Sequence, residues 1–125
     1  MMIAFTLVAD AQGDKAGKLD GTWNVVARND KKPENRTWTF KDGKIVDKRG
    51  DKTRDCKVKL DTAKKHIDLI GEVAAVAGIY ELSKDGKKLT ICGAEIPDGK
   101  KADDVRPTKI EEKKGQVVWV LEKAK

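Results

Sequence analysis

The fold of this chain is decided by residues 37–46, which read TWTFKDGKIV. Trp38 and Phe40 alternate with two threonines, and an apolar residue returns at Ile45 after the pair Asp42-Gly43. Alternation with a period of two indicates a half-buried β-strand. An Asp-Gly pair between two such runs is a strong hairpin signal, because both central positions of the favoured turn need a positive φ. Residues 37–46 therefore predict an antiparallel β-hairpin.

The same alternation continues on both sides of this hairpin. Further short apolar or alternating runs occupy residues 21–28, 56–60, 66–70, 74–82, 89–92, 108–111 and 117–121. Residues 72–77 could also form a helical turn, but one of that length is not stable alone. Eight to nine short strands with turn signals between them predict an all-β protein. Sequential hairpins favour an antiparallel up-and-down barrel, whose closure leaves no exposed strand edges. The longest loop is predicted at 96–105.

The length of 125 residues fits one domain, which we assign to residues 19–125. Residues 1–18 differ in character, since an apolar run at 1–8 precedes Ala9-Asp10-Ala11, which has the form of a signal-peptidase site. The run is shorter than the roughly 20 residues that span a bilayer. We interpret 1–18 as the remaining part of an export signal and a linker, with an ordinary N-terminal strand as the alternative. The expected location is periplasmic or extracellular.

The distribution of charge argues against a specific nucleic-acid partner. The net charge is +6, but most basic residues are lysines, and many occur as pairs in predicted turns, such as Lys31-Lys32 and Lys87-Lys88. Lysines at loop tips protect strand edges and maintain solubility. Nucleic-acid readers instead concentrate arginines and aromatic residues on one patch. The sequence leaves only weak attraction to anionic polymers, and it identifies no protein partner.

Candidate catalytic and metal-binding residues are few. His66 is the only histidine and Ser83 the only serine, and neither lies in a motif with a partner base or acid. One histidine without clustered cysteines or carboxylates does not make a zinc site. Glycines occur singly in turns and form no phosphate-binding loop. We therefore expect no catalytic residues, no metal and no cofactor, and a hydrolase is the weakest hypothesis.

Cys56 and Cys92 are the only cysteines, and an even number in an exported chain permits a disulfide. The alternation places Cys56 on the face of Val58 and Leu60, whereas Cys92 lies opposite the face that contains Ile91. A disulfide needs Cα atoms within about 7 Å of each other. The pattern therefore favours two free thiols, with a disulfide as the alternative.

The alternation also predicts which side chains face the barrel interior and line any ligand cavity there. They are Trp23, Val25, Trp38, Phe40, Val58, Leu60, Leu69, Tyr80, Leu89, Ile91 and Trp119. Small barrels either fill their interior or hold one small ligand. Two functions therefore stay open. One is the binding of a small apolar molecule, with Tyr80 and the indole N–H groups orienting its polar end. The other is a structural or protein-interaction module of the bacterial envelope, with a filled barrel.

Several motifs resemble known lipocalin-like sequences. Residues 19–26, LDGTWNVV, resemble the Gly-x-Trp signature of the first lipocalin strand. Residues 67–69 (IDL), 78–82 (GIYEL), 89–92 (LTIC) and 106–107 (RP) resemble the ordered motifs of a lipocalin-like domain family of planctomycete bacteria. The resemblance covers residues 19–123. It implies a secreted barrel plugged at one end by the tryptophan, with no known activity. The chain departs from the pattern at Cys56, and at Lys123, where an arginine or a similar base is expected.

Overall fold

The computed structural model describes residues 19–29, 31–32, 35–72 and 74–124. The predicted export segment, residues 1–18, lies outside them. The described chain forms β1 (Gly21–Arg28), β2 (Arg36–Lys41), β3 (Lys44–Arg49), β4 (Lys52–Asp61), β5 (His66–Ile70), β6 (Ala75–Leu82), β7 (Lys88–Glu95), the short helix α1 (Ala102–Val105) and β8 (Val117–Lys123). Within these ranges, no helix has the length and apolar character needed to cross a membrane.

The eight strands form one closed antiparallel barrel. Each strand pairs with the next along the chain, and β8 returns to pair with β1 through Val25 and Leu121. The predicted all-β, lipocalin-like up-and-down barrel is therefore confirmed. A bulge between Val25 and Ala27 shifts the register of the β1–β8 pair. Such bulges bend a strand and help a sheet to close.

The hairpin at residues 37–46 forms as its sequence predicts. Asp42 and Gly43 have φ values of 55° and 76°, and Lys41 pairs with Lys44 on either side of them. The second Asp-Gly pair behaves differently, since five residues separate β6 from β7 there. The Ser83 hydroxyl and the Asp85 carboxylate accept backbone N–H groups of the turn, which stabilises the longer connection.

The connection between β7 and β8 differs from the sequence prediction. Residues 108–111, expected as a strand, belong to one long connection that includes α1 and extends to Gln116. The barrel is already closed, so this segment has no neighbouring strand to pair with. Instead it lies against the outside of the barrel, where the Arg106 guanidinium donates to the Asp68 carboxylate at 2.7 Å and to the Gly78 carbonyl at 2.8 Å.

One end of the barrel is plugged by Trp23, which is fully buried. Its indole N–H donates to the Leu19 carbonyl at 2.8 Å. The Lys123 ammonium lies 4.8 Å from the centre of its ring and also donates to the Asp20 carbonyl. The cation stabilises the ring through its π face. We call this end the closed end.

Candidate functional site: a cavity at the open end of the barrel

The opposite end of the barrel, the open end, contains a cavity of about 870 Å³. It lies where β2 and β4 begin and where β3 and β5 end. It is lined by Arg36, Trp38, Ile45, Asp47, Thr53, Arg54, Asp55, Cys56, Leu69, Gly71, Glu72, Ala74, Val76 and Trp119. Small-molecule sites typically have volumes of about 300–1,000 Å³. The cavity is therefore large enough for one small organic molecule.

The inner wall of the cavity is apolar and aromatic. The rings of Trp38 and Trp119 lie with their centres 5.5 Å apart, inclined by 54°. Ile45, Leu69 and Val76 extend this wall. Gly93 contributes by having no side chain, because a Cβ atom there would lie 2.5 Å from a Val76 methyl group and 3.5 Å from the Trp119 ring. Because Gly93 has no side chain, Val76 and Trp119 can occupy this space.

Both cavity tryptophans have unpaired indole N–H groups. The nitrogen atoms of Trp38 and Trp119 are buried, and no acceptor among the described residues contacts either of them. The two side chains belong to residues that are only 3% and 8% exposed. A buried donor without an acceptor costs about 1–3 kcal/mol. The wall therefore contains two donors that the barrel itself leaves unsatisfied, whereas the donor of Trp23 is paired.

The mouth of the cavity is polar. The Arg36 guanidinium donates two hydrogen bonds to the Asp47 carboxylate, at 3.0 and 2.9 Å, and both side chains are largely buried. The guanidinium carbon lies 5.7 Å from the centre of the Trp38 ring. Arg54 pairs with Asp47 in the β3–β4 register and so points to the same face of the sheet. Arg54 is exposed, and it has no ion-pair partner in the described part of the chain.

The two cysteines lie on opposite sides of the barrel wall, and both are free thiols. Cys56 is half-buried in the cavity wall, where burial, and then the nearby Asp47 and Asp55 charges, raise the pKa of its thiol. Cys92 is fully buried on the outside of the barrel beneath the β7–β8 connection. Its sulfur lies 3.7 Å from the Glu111 carbonyl oxygen, to which it donates.

The structure divides the predicted interior residues into three groups. Trp38, Leu69 and Trp119 line the cavity. Buried in the core, but outside the cavity lining, are Trp23, Val25, Phe40, Tyr80, Leu89 and Ile91. Val58 and Leu60 are half-buried against this core. The cavity is thus confined to the open end.

The polar inward-facing residues of the mouth were missed by the sequence analysis. Arg36 and Asp47 lie two residues from Trp38 and Ile45 on the same strand faces, and Arg54 lies two residues from Cys56. Strand alternation alone places these three side chains on the inward face of the sheet. Ile45, Ile67 and Leu121 are also buried core residues, although the predicted set of interior residues did not include them.

A second concavity, of about 1,070 Å³, lies outside the barrel between the β5–β6 sheet and the β7–β8 connection. His66 and Tyr80 line it, and the Lys65 ammonium is 5.8 Å from the Tyr80 ring centre. Burial, and then the Asp61 charge, raise the pKa of the Tyr80 phenol. Because Tyr80 borders this outer groove and not the cavity, it does not provide the polar handle that the sequence analysis expected.

Arg106 and Asp103, which line the outer groove, are already ion-paired. Arg106 pairs with Asp103 at 2.9 Å as well as with Asp68, and its hydrogen bond lowers the pKa of the Asp103 carboxyl. His66 also lines the groove. The Ser83 hydroxyl is not directed at His66, because it donates a hydrogen bond to the Asp85 carboxylate within its own turn. Among the described residues there is no nucleophile–base pair at His66 and no group of three potential metal ligands. The groove therefore contains no recognisable catalytic arrangement.

Comparisons with known proteins found no protein-family model, curated protein or solved structure that matches this sequence. The resemblance to planctomycete lipocalin-like domains therefore stays a prediction. Function has to be inferred from the geometry of the cavity.

Proposed function

We propose that this protein binds one small, mainly apolar molecule in the cavity at the open end of its barrel. The observation that supports this proposal is the cavity itself, which has an aromatic and aliphatic inner wall and a polar mouth. Pockets with mostly apolar walls and a few polar groups are typical of small-molecule sites. Each square ångström of apolar surface removed from water contributes about 25 cal/mol, so the wall supplies the main driving force.

The shape of the barrel restricts how the molecule enters. Trp23, Leu19 and Phe40 fill the closed end, and all three are at least nine-tenths buried. Strands that pair around the whole circumference leave no lateral gap. A guest therefore enters and leaves through the polar mouth. There its apolar body contacts Trp38 and Trp119, while any polar part stays near Arg36 and Arg54.

The proposed setting is outside the cytoplasm, where such a barrel would carry or sequester its guest. Support comes from the sequence at residues 1–11, where an apolar run precedes Ala9-Asp10-Ala11. Binding by a barrel interior requires no catalytic group, in keeping with the lack of a catalytic motif in the sequence. If the cavity takes no guest, the alternative of a structural or protein-interaction module gains support.

Titration with the apolar dye N-phenyl-1-naphthylamine tests the binding proposal. We expect saturable binding at one site, seen as energy transfer from tryptophan to the dye. Val76→Phe, which fills the cavity wall, should weaken binding at least tenfold. The matched control is Val46→Phe, the same change at an exposed residue, and it should bind as the native protein does. Far-UV circular dichroism establishes that both variants are folded.

Cys56 provides a second measurement of occupancy. Its thiol lines the cavity, so bound dye should slow its alkylation by iodoacetamide. Because the thiolate is the reactive form and the pKa of Cys56 is raised, the reaction should be followed above pH 8. Buried Cys92 should stay unlabelled until the protein unfolds. Failure of the native protein to show saturable dye binding, or equal binding by Val76→Phe, would contradict the proposal.

A further inference from the structure

The buried side-chain groups at the cavity wall that have no hydrogen-bond partner are donors. The indole N–H groups of Trp38 and Trp119 have no acceptor among the described residues, and both side chains belong to residues more than nine-tenths buried. Arg36 uses two of its donors on Asp47, and this contact occupies both oxygen atoms of the Asp47 carboxylate. The Asp47 carboxylate on this wall is therefore already ion-paired with Arg36.

Arg54 adds a positive charge to the same wall. It points to the face of Asp47, lines the cavity and has no ion-pair partner in the described ranges. A guanidinium has five N–H donors and no acceptor, and its planar shape suits two-point contact with an acid group. Asp47 carries one negative charge and pairs with Arg36, so it does not neutralise both arginines.

Asp55 and Glu72, two acidic residues at the rim of the cavity, oppose the positive charge of Arg54 only weakly. Asp55 pairs with the exposed Val46, so the strand alternation directs it away from the interior. Glu72 lies in the exposed connection between β5 and β6. Exposed charges are screened by water and salt over about 8–10 Å. The same screening acts on the exposed Arg54, so an anionic group has to contact the Arg54 guanidinium directly.

We infer that the guest is an apolar organic acid, whose carboxylate or similar anionic group is held by Arg54 at the mouth of the cavity. This inference rests on the proposed binding function and specifies its ligand class. The apolar body lies against Trp38 and Trp119. An apolar amine would be repelled by Arg54.

A matched pair of dyes tests this inference. The dye 1-anilinonaphthalene-8-sulfonate has the ring system of N-phenyl-1-naphthylamine with one added sulfonate. We expect the sulfonate dye to bind about tenfold more tightly, as a charge-assisted hydrogen bond gives, and the advantage to shrink as salt is added. Naphthalene-1-carboxylate should displace the bound sulfonate dye, whereas 1-naphthylmethylamine should not.

Two charge variants on β4 identify the responsible residue. Arg54→Gln should abolish the advantage of the sulfonate dye, so that the variant binds the two dyes with similar affinity. Lys57→Gln removes the same charge from an exposed residue on the outer face of the strand, and it should retain the advantage. Equal affinity for the two dyes, or an advantage that survives Arg54→Gln, would overturn the inference while leaving the binding function in place. Failure of both dyes to bind would overturn both proposals.

Discussion

The three tryptophans are similar in burial but differ in what their indole N–H groups contact. Trp23 donates to the buried Leu19 carbonyl, whereas Trp38 and Trp119 have no acceptor in the described chain. Trp23 and Trp38 each have a cation near the ring, at 4.8 Å for Lys123 and 5.7 Å for Arg36. A comparison of Trp23 with Trp38 therefore isolates the contribution of the hydrogen bond between Trp23 and the Leu19 carbonyl.

Replacing Trp23 by Phe should cost more stability than the same change at Trp38. Both changes remove ring volume and weaken a cation–π contact, but only Trp23→Phe leaves a buried carbonyl without its donor. An unsatisfied buried group costs about 1–3 kcal/mol, and Trp38→Phe removes such a group instead of creating one. Unfolding in guanidinium chloride measures the difference, which should be at least about 1 kcal/mol. Equal losses for the two variants would show that the Leu19 contact does not stabilise the closed end.

At the scale of the elements, the largely buried Arg106 holds the β7–β8 connection to the barrel, in addition to the contact between Cys92 and Glu111. The Arg106 side chain is 9% exposed and contacts Asp68, Asp103 and the Gly78 carbonyl. Burial alone would lower the pKa of Arg106, but the hydrogen bonds that it donates to the Asp68 and Asp103 carboxylates raise it. The two acidic partners differ sharply in exposure, at 22% for the Asp68 side chain and 83% for that of Asp103.

Asp68→Ala should loosen this connection, and Asp103→Ala should not. Removal of Asp68 leaves a buried guanidinium with a solvent-exposed partner, and exposed ion pairs contribute little. The measurement is limited trypsin digestion, which should cleave faster at Lys100, Lys101 and Lys109 in Asp68→Ala. Binding of N-phenyl-1-naphthylamine should be unchanged in both variants, because the connection lies outside the cavity. Similar digestion of the two variants would mean that Asp103, or neither carboxylate, anchors the segment.

Short-range signals in the sequence predicted the elements whose geometry depends only on neighbouring residues. The β2–β3 hairpin follows from Asp42-Gly43 alone, because two adjacent residues with positive φ define that turn. Residues 108–111 also alternate, yet they form no strand, since the eight strands already pair with one another in a closed ring. The location of the cavity depends on register and on the missing side chain at Gly93. These features arise from long-range packing, which alternation within one strand does not report.

At the scale of the whole molecule, closure joins the first strand to the last. The β1–β8 pair connects residues about 100 positions apart in sequence, such as Trp23 and Lys123. Loss of any strand would leave two unpaired edges, so the strands depend on one another. Proteins dominated by such non-local contacts fold slowly, typically in milliseconds to seconds.

The barrel should therefore unfold in a single cooperative transition. Far-UV circular dichroism reports the strands, while tryptophan emission reports the closed end through Trp23 and the cavity through Trp38 and Trp119. In a denaturant titration the two signals should give coincident curves, as a two-state process requires. A tryptophan transition at lower denaturant than the loss of β-structure would contradict this, and would show that one end opens before the other.

The pairing of β1 with β8 has a practical consequence for fusing the protein to a partner or attaching it to a solid support. Leu19 contacts the plug tryptophan, and the Ala124 N–H donates to the Thr22 carbonyl, so both ends of the barrel chain emerge beside the closed end. A tag, a fused protein or a solid support joined directly before Leu19 or directly after Ala124 would therefore be attached at the end opposite the mouth. The barrel could be displayed on a surface with its opening facing the solution, and exchange of the guest could be timed there without obstruction.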